Sequence, residues 1–426
     1  MSPVAPRPAR RLALRRAAAN LAFLGLGTLA ALVAGEAMVR LFAPQERALA
    51  AALHGLHQPD PELGYVMVPG FQRRIRTPEF ECDVRTNSLG MHDREPGPRS
   101  PGRFRVVGLG DSFVFGVHSG ALERCFLKRL ESILDGELGA HPIVDARGRT
   151  WSGIELLNAG VDGYGTRQEV GLLERLGPEV QPDAVLLAFY LGNDFTDNSG
   201  RTRMTVVDGY QILEASAQGY RERYSRADYR FRVWLHAHSE LYLLLKRRLV
   251  HPARRVRERR AAEAAPAPSS KPFDYFVYDS GFAECLREPA TPQLERSMQA
   301  TRDALLQLRQ WCDSHQARAV VVAIPSELQV SREARTRWLA RFGLDPTTLD
   351  FSLPNRRLAA LVEEVGLPLV DLTPALSELG NAGASLYLRL DDHWNAAGHE
   401  AAASALASGP LLDDLLGVPS PLLGNR

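Results

Sequence analysis

Apolar positions in this chain fall into short continuous runs separated by stretches with helical spacing. The runs at 104–109, 154–159, 184–191, 319–324 and 367–372 are six to eight residues long, and such runs predict strands buried on both faces. Between most of them the spacing predicts helices, for example over 122–134 and 297–312. Alternation of this kind predicts a parallel sheet of about five strands covered by helices on both sides. No internal repeat is apparent.

The N-terminus has a different pattern. Arg7, Arg10, Arg11, Arg15 and Arg16 precede an apolar run at 17–35 broken only by Asn20 and Thr28, and polarity resumes at Glu36 and Arg40. About 19 residues at 1.5 Å each approach the roughly 30 Å hydrocarbon core, so the run predicts one short membrane span. The arginines predict a cytoplasmic N-terminus, with the remaining chain in the periplasm or outside the cell. A cleavable signal peptide shares this build, but Val33-Ala34-Gly35 is a poor substitute for an A-x-A site. A buried helix of a soluble protein is disfavoured by the five arginines and by the lack of a polar face. The chain thus divides into a basic segment at 1–16, a spanning or signal-anchor helix at 17–42, a lead-in at 43–100, a main domain at 101–415 with the strands and helices above, and a tail at 416–426.

Turn residues at 59–65 and 87–91 predict a β-rich lead-in. The region between the third and fourth strands is longer than one crossover needs and predicts an insertion at about 200–272. Its first part, with Tyr210, Tyr220, Tyr224 and Tyr229, is a candidate cap over the site. Residues 246–260 are strongly basic and 261–271 are rich in Ala, Pro and Ser, a pattern that favours a solvated helix and a flexible tether over a contact with anionic lipid or polysaccharide. With 426 residues, 45% of them hydrophobic, the chain is ample for one large domain with an elaboration. A net charge of +1 suggests no nucleic-acid partner. Cys82, Cys125, Cys285 and Cys312 contain no CxxC pair, so they permit two disulfides without requiring any.

Four segments carry candidate chemistry, and each of the first three follows a predicted strand. Gly110, Asp111 and Ser112 place a serine in a tight turn, where ligands of open α/β sheets collect. The segment from Asn158 through Gly160, Gly163, Gly165 and Thr166 lets a backbone N–H approach a ligand without a side chain in the way. Gly192-Asn193-Asp194 offers an uncharged amide donor. Near the C-terminus stand Asp391, Asp392, His393, Trp394 and Asn395. In an extended segment side chains at i and i+2 point the same way, so Asp391 can accept from one ring nitrogen of His393 and leave the other for a serine.

In this order, from about Asn87 to about Ala407, the four segments resemble the SGNH (GDSL-type) hydrolase family. The resemblance implies a flavodoxin-like α/β/α fold in three layers. It further implies Ser112 as nucleophile, an oxyanion hole made by the N–H groups of Ser112 and Gly163 with the Asn193 side chain, and His393 as base. The family generally places its acid three positions before the histidine, where this chain has Leu390. Asp391 therefore resembles the acid of an Asp-x-His-Trp arrangement in a membrane-associated bacterial branch that includes polysaccharide O-acetyltransferases. Asp392 is the alternative acid, and a Ser-His dyad is the third arrangement. The implied activity is a membrane-anchored serine esterase acting on a carbohydrate or other cell-envelope ester. The alternatives are a polysaccharide O-acyltransferase supplied by a membrane acyl-donor partner, and a catalytically silent binding protein.

Other residues read as structural. Asp111 fits a capping role in its turn, Asp194 and Asp197 a helix-capping cluster, and His399 a helix capped by Asn395. His236 and His238 are spaced for one face of a strand, but no third ligand is evident and no metal site is expected. Gly163-Tyr164-Gly165 lacks the remaining glycine of a dinucleotide fingerprint, and no cofactor is implied.

Overall fold

Each of the five apolar runs forms a strand: β1 (Arg103–Leu109), β2 (Gly153–Asn158), β3 (Ala184–Tyr190), β4 (Arg318–Ile324) and β5 (Leu369–Asp371). These come from a computed structural model that describes residues 7–45, 49–145, 147–198, 200, 203–246, 248 and 280–418. All pairings between the five are parallel, in the order β2-β1-β3-β4-β5. That is the flavodoxin-like order expected above, and it puts the topological switch point beside β1, where ligands bind. Every residue of β3 is buried, as a strand covered on both faces requires.

Two groups of helices pack on the sheet. Phe126–Ala140 lies on β2 and against Ala396–Ser408, while Pro292–Ser314 packs against both Thr166–Val180 and Leu353–Val365. Contacts are close enough to exclude side chains. A Cβ at Gly108 would sit 2.5 Å from Leu127 Cδ2, and one at Gly177 would sit 2.1 Å from Trp311.

The helix expected over 122–134 starts later. Leu122–Arg124 is a 3-10 turn and Cys125 is extended, so the α-helix begins at Phe126 and runs to Ala140. A long-range contact accompanies that start, because the Phe126 N–H donates to Nδ1 of His399 at 3.2 Å. All four cysteines are buried and unpaired, and burial pushes the thiols of Cys82, Cys125 and Cys312 up to about 12.

The chain divides into two compact units, 48–221 with 268–426 and 1–47 with 222–267. The larger contains the sheet, two lead-in hairpins (His57–Asp60 with Gly64–Met67, and Gln72–Arg76 with Glu81–Arg85) and a hairpin of the insertion (Met204–Val207 with Tyr210–Leu213). In the smaller unit, the helix Arg7–Phe42 contains within Arg15–Phe42 an 18-residue window of mean hydropathy 1.9, none of it buried, so this helix is long and apolar enough to cross a membrane. A membrane anchor and a signal sequence share that character. His236 and His238 lie on the helix Ala227–His238, not on a strand, so their i, i+2 spacing does not give them a common face. Most of the basic stretch, the whole Ala-Pro-Ser tether at 261–271 and residues 419–426 of the tail lie outside the described residues.

Candidate active site

Ser112 stands at the N-terminus of a single helical turn, Ser112–Phe115, immediately beyond β1. Two contacts make the turn tight. A Cβ at Gly110 would lie 2.3 Å from Val114 Cγ2, and the Asp111 carboxylate caps the turn by accepting from the Phe113 N–H at 2.9 Å. Asp111 thus has the capping role read from its turn position. Asn158, at the end of β2, ties the second segment to the first: its amide donates to the Val114 carbonyl at 2.8 Å. Gly160 is the closest approach. A Cβ there would sit 2.3 Å from the Phe115 nitrogen, so this glycine admits the backbone of the nucleophile turn and not a ligand.

His393 reaches the same point from 281 residues away, with Nε2 2.6 Å from Ser112 Oγ. It sits on a strap that folds back on itself, with Tyr387 bridged to Trp394 and the Leu388 N–H donating to the His393 carbonyl at 2.8 Å. Asp391 Oδ1 lies 2.5 Å from His393 Nδ1 and also accepts from the His393 N–H at 3.2 Å. The juxtaposition expected of an extended segment is therefore made by a bend that the carboxylate itself closes. Asp392 is nearby but differently used: one oxygen accepts from Tyr190 Oη at 2.9 Å, and the other lies 3.5 Å from His393 Nδ1 without a hydrogen bond.

These contacts set the charges. Burial alone lowers the His393 pKa, but the Asp391 carboxylate outweighs it and holds the imidazolium well above its ordinary range. Asp391 is held below the usual carboxylate range by His393 against the opposing effect of its own desolvation. Burial, with the neighbouring Asp391 charge, pushes Asp392 up to about 7. Of the two carboxylates, Asp391 is the one that stays ionised beside His393.

Three hydrogen-bond donors on the loops beyond β1, β2 and β3 are unused. Among the described residues, no partner takes the backbone N–H of Ser112, the backbone N–H of Gly163 or the side chain of Asn193. Ser112 follows β1, Gly163 follows β2 and Asn193 follows β3, which are adjacent strands at their carboxyl ends. Gly163 needs its residue type, since its φ is +74° and a Cβ would lie 2.8 Å from Gln211 Nε2. Asp194 caps nothing; it accepts from the Tyr190 N–H at 2.7 Å and closes the end of β3.

Over residues 286–413 the sequence matches the family model described as SGNH hydrolase-like domain, acetyltransferase AlgX. This matched segment, 128 of the 426 residues, is similar to an SGNH hydrolase-like domain. The matched segment includes Asp391 and His393 and begins beyond Ser112, Gly163 and Asn193. Among curated proteins, none matches the sequence. Similar solved structures include a lipase/acylhydrolase from Enterococcus faecalis, at 12% identity over 71% of this chain and 93% of that one, with a TM-score of 0.34. An acetyl xylan esterase aligns at 11% identity over 71% and 98%, with a TM-score of 0.36. A two-domain esterase active on acetylated mannans aligns at 13% identity over 75% of this chain but only 53% of its own, with a TM-score of 0.34. TM-scores this low carry neither fold nor function from those enzymes to this chain.

Several residues that the sequence did not single out hold the site in place. The Glu79 carboxylate, from the lead-in, accepts from the N–H groups of Arg389 and Leu390 at 2.6 and 2.9 Å and anchors the histidine strap. Tyr65 Oη and Gln211 Nε2 both donate to the Asp162 carbonyl at 2.8 Å, so the lead-in and the insertion hairpin together brace the loop of Gly163. This hairpin is the part of the expected cap that reaches a site loop. His393 is sandwiched between Phe113, at 5.0 Å, and His118, whose ring is nearly parallel at 3.9 Å. No local pattern marks these residues, because each acts on a segment remote in sequence.

His118, Asp391 and His393 each bring a potential metal-ligand atom within 4.8 Å of the others. The arrangement is a poor cage. Rings stacked at 3.9 Å and 10° point their in-plane lone pairs along parallel lines, whereas a tetrahedral ion needs them to converge. Elsewhere, His399 is structural: burial lowers its pKa to about 3, and its helix is capped by Asn395, which accepts from the N–H groups of Ala397 and Gly398.

Proposed function

We propose that the protein is a membrane-anchored serine esterase that deacylates a carbohydrate or other cell-envelope ester, with Ser112, His393 and Asp391 as its triad. One observation carries this reading: the continuous chain from Ser112 Oγ to His393 Nε2 at 2.6 Å and from His393 Nδ1 to Asp391 Oδ1 at 2.5 Å. Neutral His393 takes the Ser112 proton as Oγ attacks the ester carbonyl, and returns it to the departing alcohol. Asp391 fixes the tautomer and offsets the imidazolium charge. The unused donors of Ser112, Gly163 and Asn193 form the oxyanion hole and act on an oxygen that is negative only after attack, so they lower the barrier more than they tighten substrate binding. The acyl group then rests on Ser112 until a second nucleophile, deprotonated by His393, removes it. The helix at 17–42 anchors the enzyme with its arginines in the cytoplasm and its catalytic domain across the membrane.

Water as that second nucleophile makes an esterase; a sugar hydroxyl makes an O-acyltransferase. The match of residues 286–413 to the acetyltransferase AlgX family model favours the second reading, which requires an acyl donor from a membrane partner. Purified full-length protein assayed on p-nitrophenyl acetate and on acetylated glycans, with and without a glycan acceptor, tests both. Serine labelling by a fluorophosphonate should occur in the wild type and vanish in Ser112→Ala. Turnover that survives this substitution refutes the nucleophile, and a wild type that neither labels nor turns over supports a binding protein. Acetyl found on the acceptor in place of free acetate moves the assignment to transferase. Retention of the chain in carbonate-washed membranes tests the anchor.

A further inference from the structure

In the smaller unit the far end of the N-terminal helix is fastened to the insertion. Glu36 accepts from Ser239 Oγ at 2.8 Å and from the N–H groups of Glu240 and Leu241 at 2.9 and 3.0 Å, while Arg40 Nη2 donates to the His238 carbonyl at 2.6 Å. The contact continues into the apolar run, since a Cβ at Gly35 would lie 3.2 Å from a Leu241 methyl. These bonds fix the junction between the helices Ala227–His238 and Glu240–Leu245 at the level of Glu36 to Arg40. An apolar stretch of about 19 residues from Ala17 rises about 28 Å before reaching Glu36, so this level coincides with the membrane–water boundary.

The first of these helices turns an unusual face outward. Phe231 and Trp234 are 59% and 54% exposed, their rings stack at 6.2 Å, and the Trp234 ring also stacks on His238 at 5.3 Å. Trp151, Trp311, Trp338 and Trp394 are all buried, which leaves Trp234 as the one exposed tryptophan of the chain. Arg226, Arg230 and Arg232 lie within five residues of Phe231, and Arg226 and Arg232 pair with Asp228 at 3.2 and 2.8 Å. Trp234 is four residues before His238, about 6 Å along the helix axis from the clamp.

We propose that Phe231 and Trp234 enter the lipid headgroup region of the leaflet from which the N-terminal helix emerges, making the insertion a second, interfacial anchor. The inference rests on the reading of the N-terminal helix as a membrane span. The Trp234 indole, with its polar N–H edge, favours the headgroup level, Phe231 adds apolar surface beside it, and nearby arginines meet lipid phosphates. Sugar polymers also stack on exposed aromatic rings, but the Glu36 and Arg40 contacts tie this face to the membrane-spanning element, which favours lipid. Two contacts with one bilayer restrict the anchor more than a single helix does.

The test uses full-length protein reconstituted in phosphatidylcholine vesicles containing a fifth anionic lipid, with and without lipids brominated near the headgroup. Tryptophan emission should be quenched by the brominated lipid, and Trp234→Phe should abolish the bromine-dependent part. Carbonate extraction of the same vesicles keeps the two premises apart. Release by carbonate refutes the span and this surface with it, whereas retention with quenching equal in wild type and Trp234→Phe refutes the surface alone. Protection of Trp234 from iodide by soluble glycan, without lipid quenching, would assign the face to sugar and overturn the proposal.

Discussion

Asp391 and Asp392 stand on the same side of His393, and their different distances predict how much each supports it. Asp391→Ala removes the oxygen 2.5 Å from Nδ1, but leaves an Asp392 oxygen 3.5 Å away with no other hydrogen bond. Asp392, pushed up to about 7 by burial and by the Asp391 charge, ionises more readily once that charge is gone. With an effective dielectric constant of about 20, a unit charge interacts with the imidazolium by about 7 kcal/mol at 2.5 Å and about 5 kcal/mol at 3.5 Å. The difference, about 2 kcal/mol, corresponds to a loss of about thirtyfold in kcat/KM. Losing all acid support costs about ten-thousandfold. Esterase assays at pH 8 should therefore rank Asp391→Ala well above the double variant Asp391→Ala, Asp392→Asn, with Asp392→Asn alone near wild type. A single Asp391→Ala variant as inactive as the double would refute the substitution of one carboxylate for the other. Asp392→Asn as damaging as the double would transfer the acid role to Asp392.

The remaining expectations concern the base, the donors and the packing. Because His393 must be neutral to accept a proton and Asp391 raises its pKa, kcat/KM should rise with pH through a limb above 6.5, and the limb should move down in Asp391→Ala; a wild-type limb below 6 contradicts this. Asn193→Ala should lower kcat by about 10² to 10³, or roughly 2.7 to 4 kcal/mol, with little change in KM, and an unchanged kcat would remove Asn193 from the oxyanion hole. Gly160→Ala should lower stability by about 1–3 kcal/mol through overpacking against the Phe115 backbone, measured as a fall in Tm, and an unaltered Tm would show that the nucleophile turn can yield.

Apolar runs such as 184–191 and 319–324 were enough to place strands to within a residue or two, since a strand buried on both faces needs no partner-specific pattern to be recognised. Ser112, Gly163 and Asn193 were open to the same reading because each stands in a turn that follows a strand, whereas His393 follows none and lies on the strap beyond the helix Thr373–Asn381. The turns around them were legible only in part. The strap of His393 forms a bend closed by Asp391 where an extended segment was expected, because the carboxylate can satisfy both Nδ1 and the N–H of the same residue.

Local composition thus determined the kinds of element in this protein, the apolar N-terminal helix and the residue types able to do acyl chemistry. Tertiary structure alone decided that Ser112 meets His393 across 281 residues, that Glu79 anchors the strap and that His118 stacks on the base. The physical reason is one of range. Propensity and periodicity act within a few turns of chain, whereas hydrogen bonds and ring contacts between distant segments exist only after the sheet has set its strand order and brought the loops of β1, β2 and β3 to one edge.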